Sequence, residues 1–478
     1  MNLKILIAIS LLGLTGCSFV PQYTRPDAPI DRHWPAGAAP SQESSDQAAS
    51  ELSWRQVFKD DMLKTVVALS LENNRDLRVA LLNVEQLQAQ YRVQRAALYP
   101  QINAGGSFTR SRTAVAVPGA VTPGQTIATT SSIQGYTSNE YALNVGVTSY
   151  EVDFFGRIRS LTSQALEKYL STIEAHRSSQ ISIVSQVATQ YLTLRQVQEQ
   201  LRLARQTLAA VQESYDLNKA NFDAGAATEL DLRTAEAQVH TARVNVINYE
   251  RQVAQAINDL VLLVGAAVPR QLSEPKALND RAIMEDIPAG LPSSLLERRP
   301  DILQQEHTLK AANANIGAAR AAFFPTVTLT GSAGNASAGL NQLFSTSTYA
   351  WTFAPQISVP IFNGGANVAN LDVAKVSKRI EIANYEKAIQ TAFREVANAL
   401  VARQSYDEQL AAQKSLVDAD QKRYEIANVR YRGGTDTYLN VLSAQQDLYA
   451  AQQNLIQIRF NRLSNLIALY KALGGGWK

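Results

Sequence analysis

The sequence predicts an internally duplicated α+β membrane protein in which four β-strands per chain accompany very long coiled-coil helices. Three observations carry this. A turn is written twice: Phe222-Asp223-Ala224-Gly225-Ala226-Ala227-Thr228-Glu229-Leu230-Asp231-Leu232 returns 209 residues later as Tyr431-Arg432-Gly433-Gly434-Thr435-Asp436-Thr437-Tyr438-Leu439-Asn440-Val441. Each copy joins a helical run far too long for a globular core to a second one. Between the runs lie short, nearly uncharged stretches in which apolar and small polar residues alternate, the period of a strand with one apolar face.

Composition supports a tube rather than a packed globule. The 478 residues carry 45 Lys and Arg against 42 Asp and Glu, so nothing marks a basic nucleic-acid surface. Ala and Gln dominate the helical parts, which suits narrow buried seams along otherwise exposed helices.

Residues 1–16 read as a processing signal, with Lys4 as its basic start and an apolar run from Ile5 to Leu14 that is too short to span a bilayer. It ends in Leu14-Thr15-Gly16-Cys17, similar to the bacterial lipoprotein cleavage box. Cys17 is the only cysteine, which excludes a disulfide framework and leaves covalent lipid, palmitate among its acyl groups, as the use of the thiol. Ser18 is not the Asp that would retain such a lipoprotein at the inner membrane.

Along the chain, residues 17–60 form an extended tether and 61–100 the first short helices, broken near Asn73-Asn74 and stopped by Pro100. Strands one and two occupy 101–153 around an uncharged loop at 113–138, with Tyr141, Leu143, Val145 and Val147 on one face. A helical hairpin follows over 157–264, with its tip near 223–228. Its first arm is about 100 Å long at about 1.5 Å per residue. Val187, Leu194, Leu201, Leu208, Tyr215 and Phe222 recur every seven residues, and Ala235, Val239, Ala242, Val246, Tyr249, Val253, Ala256, Leu260 and Leu263 continue the seam on the return arm. After a linker at 265–292 the plan repeats: short helix 293–325, strands three and four in 326–363 around a loop near 334–349, hairpin 364–472 with its tip near 432–437, and a tail at 473–478.

The strands have the length of tilted membrane-spanning strands, but four cannot close a barrel, and open edges are not tolerated in lipid. At least eight strands are needed, so two, three or four chains satisfy an even total.

The chain resembles, over essentially its whole mature length, the TolC-like outer-membrane factors, and within them the OprM-like lipoprotein branch. The match rests on Pro21-Gln22-Tyr23-Thr24-Arg25-Pro26, Asp153-Phe154-Phe155-Gly156-Arg157, Leu296-Glu297-Arg298-Arg299-Pro300-Asp301-Ile302, Pro360-Ile361-Phe362-Asn363-Gly364-Gly365 and Tyr470-Lys471-Ala472-Leu473-Gly474-Gly475-Gly476-Trp477. The resemblance implies a homotrimer with a twelve-stranded outer-membrane barrel continuous with a periplasmic α-helical barrel. It further implies a periplasmic adaptor (membrane fusion) protein and an inner-membrane pump of the RND class as partners, with outer-membrane lipid around the barrel and export of drugs or other toxic small molecules. Competing readings are the exit channel of a type I protein-secretion system and a non-conducting envelope lipoprotein.

No catalytic set stands out. His33, His176, His240 and His307 are scattered without ligand spacing, there is no phosphate loop, and Glu297 to Ile302 reads as a helix start with Pro300 at its first position. No cofactor is expected beyond the lipid on Cys17, and an enzyme is not expected.

The duct must be shut at rest, and the turns are where its helices converge. Gly225 suits a left-handed helix end, and Gly433-Gly434 take that place in the second turn. Thr228 with Asp231 reads as a capping box, and Thr437 with Asn440 occupies the matching places. These turn residues are also the expected adaptor contacts. By resemblance, the constriction lies on the helix after the second turn, often Leu-Asp-Val-Leu-Asp-Ala-Gln in the family. Here it reads Leu439-Asn440-Val441-Leu442-Ser443-Ala444-Gln445, with Gln446 next, so both acidic positions are neutral. The resemblance implies a gate in which Leu439 forms a hydrophobic ring and Ser443 a second one. Tyr431 and Arg432 bond across to the first hairpin, with Asp231 as partner, and Asp436 and Asp447 supply the remaining acidity.

Overall fold

The computed structural model describes residues 18–31, 34, 52–117, 132–274, 276–288 and 298–477. The signal at 1–16, Cys17, His33, Leu296 and Glu297 lie outside the described residues. Two compact units emerge. One takes the chain up to Thr24 with Gln88–Glu167 and Lys310–Ile380; the other takes Arg25–Leu87, Lys168–Leu309 and Glu381–Lys478.

The first unit is built on a four-stranded antiparallel sheet, β1 (Ile102–Val117), β2 (Ser132–Val152), β3 (Thr326–Ser337) and β4 (Tyr349–Ser358), in the order β1-β2-β3-β4. The order leaves β1 and β4 as edges within the chain. Register puts Ile102 opposite Val147, Ala104 opposite Val145, Gly106 opposite Leu143 and Phe108 opposite Tyr141, and then Val145 opposite Ala333 and Ala333 opposite Trp351. One face is therefore apolar across all four strands. A bulge between Val147 and Tyr150, with Ser149 at φ 56°, shifts the register where β2 approaches its helix. Gly146 and Gly334 lie against the backbones of Gly331 and Leu143, where no Cβ fits.

The strands overrun the expected loops. β1 and β2 have 16 and 21 residues and so take in 113–117 and 132–138 of the loop placed at 113–138; its remainder lies outside the described residues. Thr113, Val115 and Val117 are β-formers, and the ladder continues through them to the last described residue of β1. The loop near 334–349 likewise begins only after Ser337, with 3₁₀ turns at Leu340–Gln342 and Thr346–Thr348, because Asn335 still pairs with Tyr349. β4 stops at Ser358, two residues before Pro360.

Beneath the sheet, Phe19 stacks on Phe324 at 4.5 Å, and Phe324 stacks on Phe155 at 4.9 Å. Asn313 donates to the Pro21 carbonyl and Arg320 to that of Phe19, pinning the first described segment of the chain. Gly317 makes room: a Cβ there would lie 2.5 Å from Val20.

In the second unit the tether expected over 17–60 includes a short helix, α1 (Trp54–Val57). Ser53 and Gln56 form a capping box, and Trp54 and Val57 bury completely. Helices α2 (Asp61–Asn73) and α3 (Arg75–Ala96) follow, and Asn74 separates them with its side chain on the Leu263 carbonyl and the Leu77 amide. The long helices are α4 (Arg157–Asp223) and α5 (Glu229–Val264), then, after α6 (Pro300–Ala321), α7 (Ala366–Arg432) and α8 (Tyr438–Ala472). Both α4 and α7 have 67 residues, and their return helices have 36 and 35, so the duplication is preserved in length.

Heptad residues make the seams. Leu201, Ala204 and Val246 cluster with Leu208, Tyr249 and Val253, and Val211, Val239 and Ala242 continue towards Tyr215. Phe222, expected as the last seam residue, is 38% exposed, because it sits in the final turn where the arms part. Arg459 bolts the linker to the hairpins: it meets Asp280 and Glu199, each at 2.7 Å, and the Leu278 carbonyl. Arg462 adds Asp407 and Glu285, and Arg403 adds Asp286. Arg299, beside the first residue of α6, is buried between Asp301, Glu395 and the Ala472 carbonyl, the structural role of that motif.

Candidate functional site: the hairpin tips

The two tips share one backbone. After α4, the Gly225 amide bonds the Phe222 carbonyl at 2.9 Å and the Ala226 amide bonds that of Asn221 at 2.7 Å; after α7, Gly434 bonds Tyr431 at 2.9 Å and Thr435 bonds Arg430 at 3.0 Å. This is the Schellman arrangement, which needs a left-handed residue, and Gly225 and Gly434 stand at φ 74° and 71°. Gly433 has no positive φ. It aligns with Ala224.

The helix starts differ. Thr228 and Asp231 close the expected capping box ahead of α5: the Asp231 amide donates to Thr228 Oγ1 at 3.2 Å, and Asp231 Oδ2 accepts from the Thr228 amide at 3.3 Å and its hydroxyl at 2.7 Å. Thr437, expected in the same role ahead of α8, makes no side-chain cap. Asp436, one residue earlier, accepts from the Thr437 amide at 2.8 Å, Asn440 Nδ2 at 2.5 Å and Arg430 Nε at 3.2 Å, which ties the turn together without capping a first-turn amide of α8. These donors, Asn440 first, hold the Asp436 carboxyl below its ordinary value of 3.8.

Asp231 is not the partner of Tyr431 or Arg432; its carboxylate is occupied by Thr228. Tyr431 Oη donates instead to Asn218 Oδ1 at 2.8 Å, and Asn218, fully buried on α4, anchors itself on the Ser214 carbonyl. Arg432 meets Glu213 at 2.7 Å in solvent. Both links cross from the second hairpin to the first, as expected, but land on α4 rather than on α5. Asn218 and Glu213 escaped the sequence reading. Aligning the repeats puts Asn218 opposite Ala427, a buried seam position, and an amide at such a position was the available signal.

Beneath the latch lies a tyrosine-rich core: Ala235, Ala427, Tyr438, Val441, Leu442 and Ala444, with Tyr215, Tyr424 and Tyr431 packed on it. Tyr438 is 3% exposed, its ring 5.7 Å from that of Tyr431. Its hydroxyl finds no hydrogen-bond partner among the described residues, and burial, reinforced by Tyr431, Tyr424 and Asp231, pushes it up to about 12.

With Tyr438, Val441, Leu442 and Gln445 turned inward, α8 presents Leu439, Ser443 and Gln446 along one exposed stripe at i, i+4 and i+7. Leu439 is 68% exposed within the chain. Ser443 accepts from Arg423 at 3.2 Å, and the same guanidinium holds Asp447 at 2.6 Å; Gln446 reaches Gln238 of α5 at 3.3 Å. The acidity expected from Asp436 and Asp447 is therefore matched by Arg430 and Arg423. Among the described residues no group of His, Cys, Asp and Glu is arranged to hold a metal ion, and no helix is long and apolar enough to cross a membrane.

Comparison with known proteins agrees with this architecture. The family model for outer membrane efflux proteins matches residues 66–266 and 291–475. The chain is similar to the antibiotic efflux pump outer membrane protein ArpC of Pseudomonas putida, at 48% identity over 472 residues, covering 98% of this chain and 95% of that one. The toluene efflux pump outer membrane protein TtgC, also of Pseudomonas putida, is 48% identical over the same shares. Among solved structures, the open state of the Neisseria gonorrhoeae MtrE outer membrane channel superposes with a TM-score of 0.84 at 35% identity, covering 97% of this chain and 99% of that one. A chain with no catalytic set, an edge-open apolar sheet and duplicated helical hairpins thus belongs to the outer membrane efflux protein family, whose members are transport ducts and not enzymes.

Proposed function

We propose that this outer-membrane efflux protein is the passive exit duct of a tripartite pump, closed at its hairpin tips and opened by contacts with its partners. The observation that carries the proposal is the sheet. Its apolar face leaves Ile102, Phe108, Leu143, Val145, Trp351, Phe353 and Ile357 exposed by 43 to 71%, and its edges β1 and β4 lack a further strand neighbour among the described residues. In water such a face and such edges are a liability; in lipid, pairing β4 of one copy with β1 of the next removes both. Three copies give a homotrimer with a twelve-stranded barrel, and α4, α5, α7 and α8 of each copy supply the periplasmic tube. Lipid on Cys17 anchors each copy.

The tip stripe suits a gate. Leu439 is exposed in one copy and gains apolar partners only where three copies meet on an axis. With Asn440 and Ser443 neutral and both nearby acids paired with arginines, the closed aperture is hydrophobic and weakly cation-binding. Opening swings the second hairpin away from the first, and the Tyr431 and Arg432 links to α4 are the contacts it must release. A periplasmic adaptor engaging the turns at Gly225, Thr228, Gly433, Gly434 and Thr437, together with an RND-type inner-membrane pump, provides the bias and the energy. The relatives named for antibiotics and toluene make small apolar or amphipathic toxic compounds the expected cargo.

Planar-bilayer recording tests this. Wild-type protein should insert as a low-conductance pore, and Leu439→Ala should raise its open probability at least tenfold. A protein that never conducts, in either form, would sink the duct. A second measurement checks the barrel: single cysteines on β1 and β4 should cross-link copies into a closed trimer.

A further inference from the structure

The described strands carry four charges, and the sheet sorts them by sign. Arg110 and Arg112 on β1 stand opposite Asn139 and Thr137, in the same facing row as Phe108 with Tyr141 and Ala104 with Val145, so both belong to the apolar face. Glu140 pairs with Thr109 and Glu151 with Thr328, on the opposite face. The positive pair is thus on the side that, on the duct reading, meets lipid, and the negative pair is on the lumen side.

Depth matters as much as side. Eight and ten residues separate Ile102 from Arg110 and Arg112 on β1. That is about 27 and 34 Å of extended chain, or about 19 and 24 Å of height at a tilt of about 45°, which reaches the outer rim of an apolar band about 25 Å tall. The Arg112 side chain leans further out. A Cβ on Gly135 would lie 2.7 Å from Arg112 Nε and 2.9 Å from Nη2, so the guanidinium lies flat over Gly135, one facing pair nearer the loop than its own partner Thr137. This is the snorkelling direction for an outer-leaflet headgroup layer.

Among the described residues nothing neutralises the pair. Neither arginine has an ion pair among the described residues, no Asp or Glu occurs between Arg112 and Glu140, and residues 321–371, which include β3 and β4, hold no charged residue at all. Two guanidinium groups two residues apart on one strand face repel each other and call for an anion between them. A guanidinium pairs with phosphate through two parallel N–H bonds, which makes a phosphate-bearing headgroup the best-matched anion at that depth.

We propose that Arg110 and Arg112 form a docking site for the phosphate groups of a phosphorylated glycolipid in the outer leaflet. The site rests on the barrel reading above, but its failure can be told apart from failure of that reading. The full-length protein, purified from the outer membrane in mild detergent, is titrated in native mass spectrometry with a bis-phosphorylated acylated disaccharide lipid. The same lipid without phosphate serves as comparison, and inorganic phosphate as competitor. Wild-type protein should bind the phosphorylated form at least tenfold more tightly than the dephosphorylated form, and millimolar phosphate should not displace it. Arg110→Gln with Arg112→Gln should abolish that preference, the corresponding double Lys variant should keep part of it, and Glu140→Gln on the opposite face should leave it unchanged.

Equal affinity for the two lipids in wild-type protein, an undiminished preference in the double Gln variant, or displacement by free phosphate would each overturn the site. Conductance recorded on the same preparations separates the two ideas. A conducting pore with no phosphate preference removes only the lipid site, whereas a wild-type protein that never conducts removes the duct as well. Should the double Gln variant fail to assemble, the double Lys variant and the wild-type comparison still decide.

Discussion

The tips of the two hairpins have the same turn and opposite surroundings. Gly225 and Gly434 adopt the same left-handed angle and close the same pair of backbone bonds, yet the helix that follows starts in solvent at Glu229 and in a buried core at Tyr438. The residue after each, Leu230 and Leu439, is exposed by 75% and 68%. Duplication therefore copied the backbone device, and specialisation came from side chains. The turn of the first tip is closed by its own Thr228 and Asp231, a local capping box. The second is held by Tyr431 and Arg432 across to α4, and so its position depends on another hairpin. A part that must move in response to a partner gains from being held by a few breakable links, and the second tip has them.

The largest separation between the tips should come from Tyr438→Ala set against Glu229→Ala. Emptying a buried aromatic site costs about 3–5 kcal/mol, and trimming an exposed glutamate costs within about 0.5 kcal/mol. Hydrogen exchange over 438–445 should accelerate by about a hundredfold or more in the first variant and hold steady in the second. Similar acceleration in both would show that the tyrosine core is not what distinguishes the second tip.

Tyr431→Phe comes next. It removes one hydroxyl and leaves the buried Asn218 Oδ1 without its donor, at a cost of about 1–3 kcal/mol. Basal pore conductance should rise, while Phe222→Leu at the equivalent position of the first tip should not change it. If the two variants conduct alike, the link to Asn218 is not part of the closed state.

Smaller effects should follow the caps. Thr228→Ala deletes a capping box and should loosen the start of α5 by about 1 kcal/mol, whereas Thr437→Ala removes a side chain that caps nothing and should shift α8 by no more than a few tenths of a kcal/mol. Amide exchange at residues 229–232 against 438–441 reads the difference directly.

The smallest effect is a pH dependence confined to the second tip. Asp436 has a folded-state carboxyl held below its unfolded value, so the stabilisation from its hydrogen bonds to Asn440, Thr437 and Arg430 is fully present above that unfolded value near 3.8 and is lost as pH falls through the lower folded one. Exchange at Thr437 and Asn440 should speed up only in strong acid, and Asp436→Asn should remove the pH dependence. A transition at mildly acid pH would point to a different group.

Local signals made most of the fold legible. The breaks at Asn74, Gly225, Gly265 and Gly434, the proline stops and the heptads all act within one or two helical turns, so the helices could be bounded from the chain alone. The strands were found by their alternation, but their ends were underestimated, since a ladder continues as long as its partner strand supplies bonds. The resemblance named Leu439, Ser443 and Gln446, and the structure puts them on one exposed stripe. The partner of Tyr431 was not legible. Asp231 was the acceptor expected from the resemblance, while Asn218 lies 213 residues away and is brought to the tyrosine only by the packing of one hairpin on another.

By itself, then, the sequence determined the duplication, the element order, the left-handed glycines, the alternating strands and the absence of catalytic chemistry, because each is a property of short stretches and their periods. Tertiary structure alone decided that Tyr431 and Arg432 reach Asn218 and Glu213 on α4, and which residues of neighbouring strands face one another across the sheet. Those outcomes depend on which distant residues compete for the same donor, and on register between strands, neither of which any local pattern encodes.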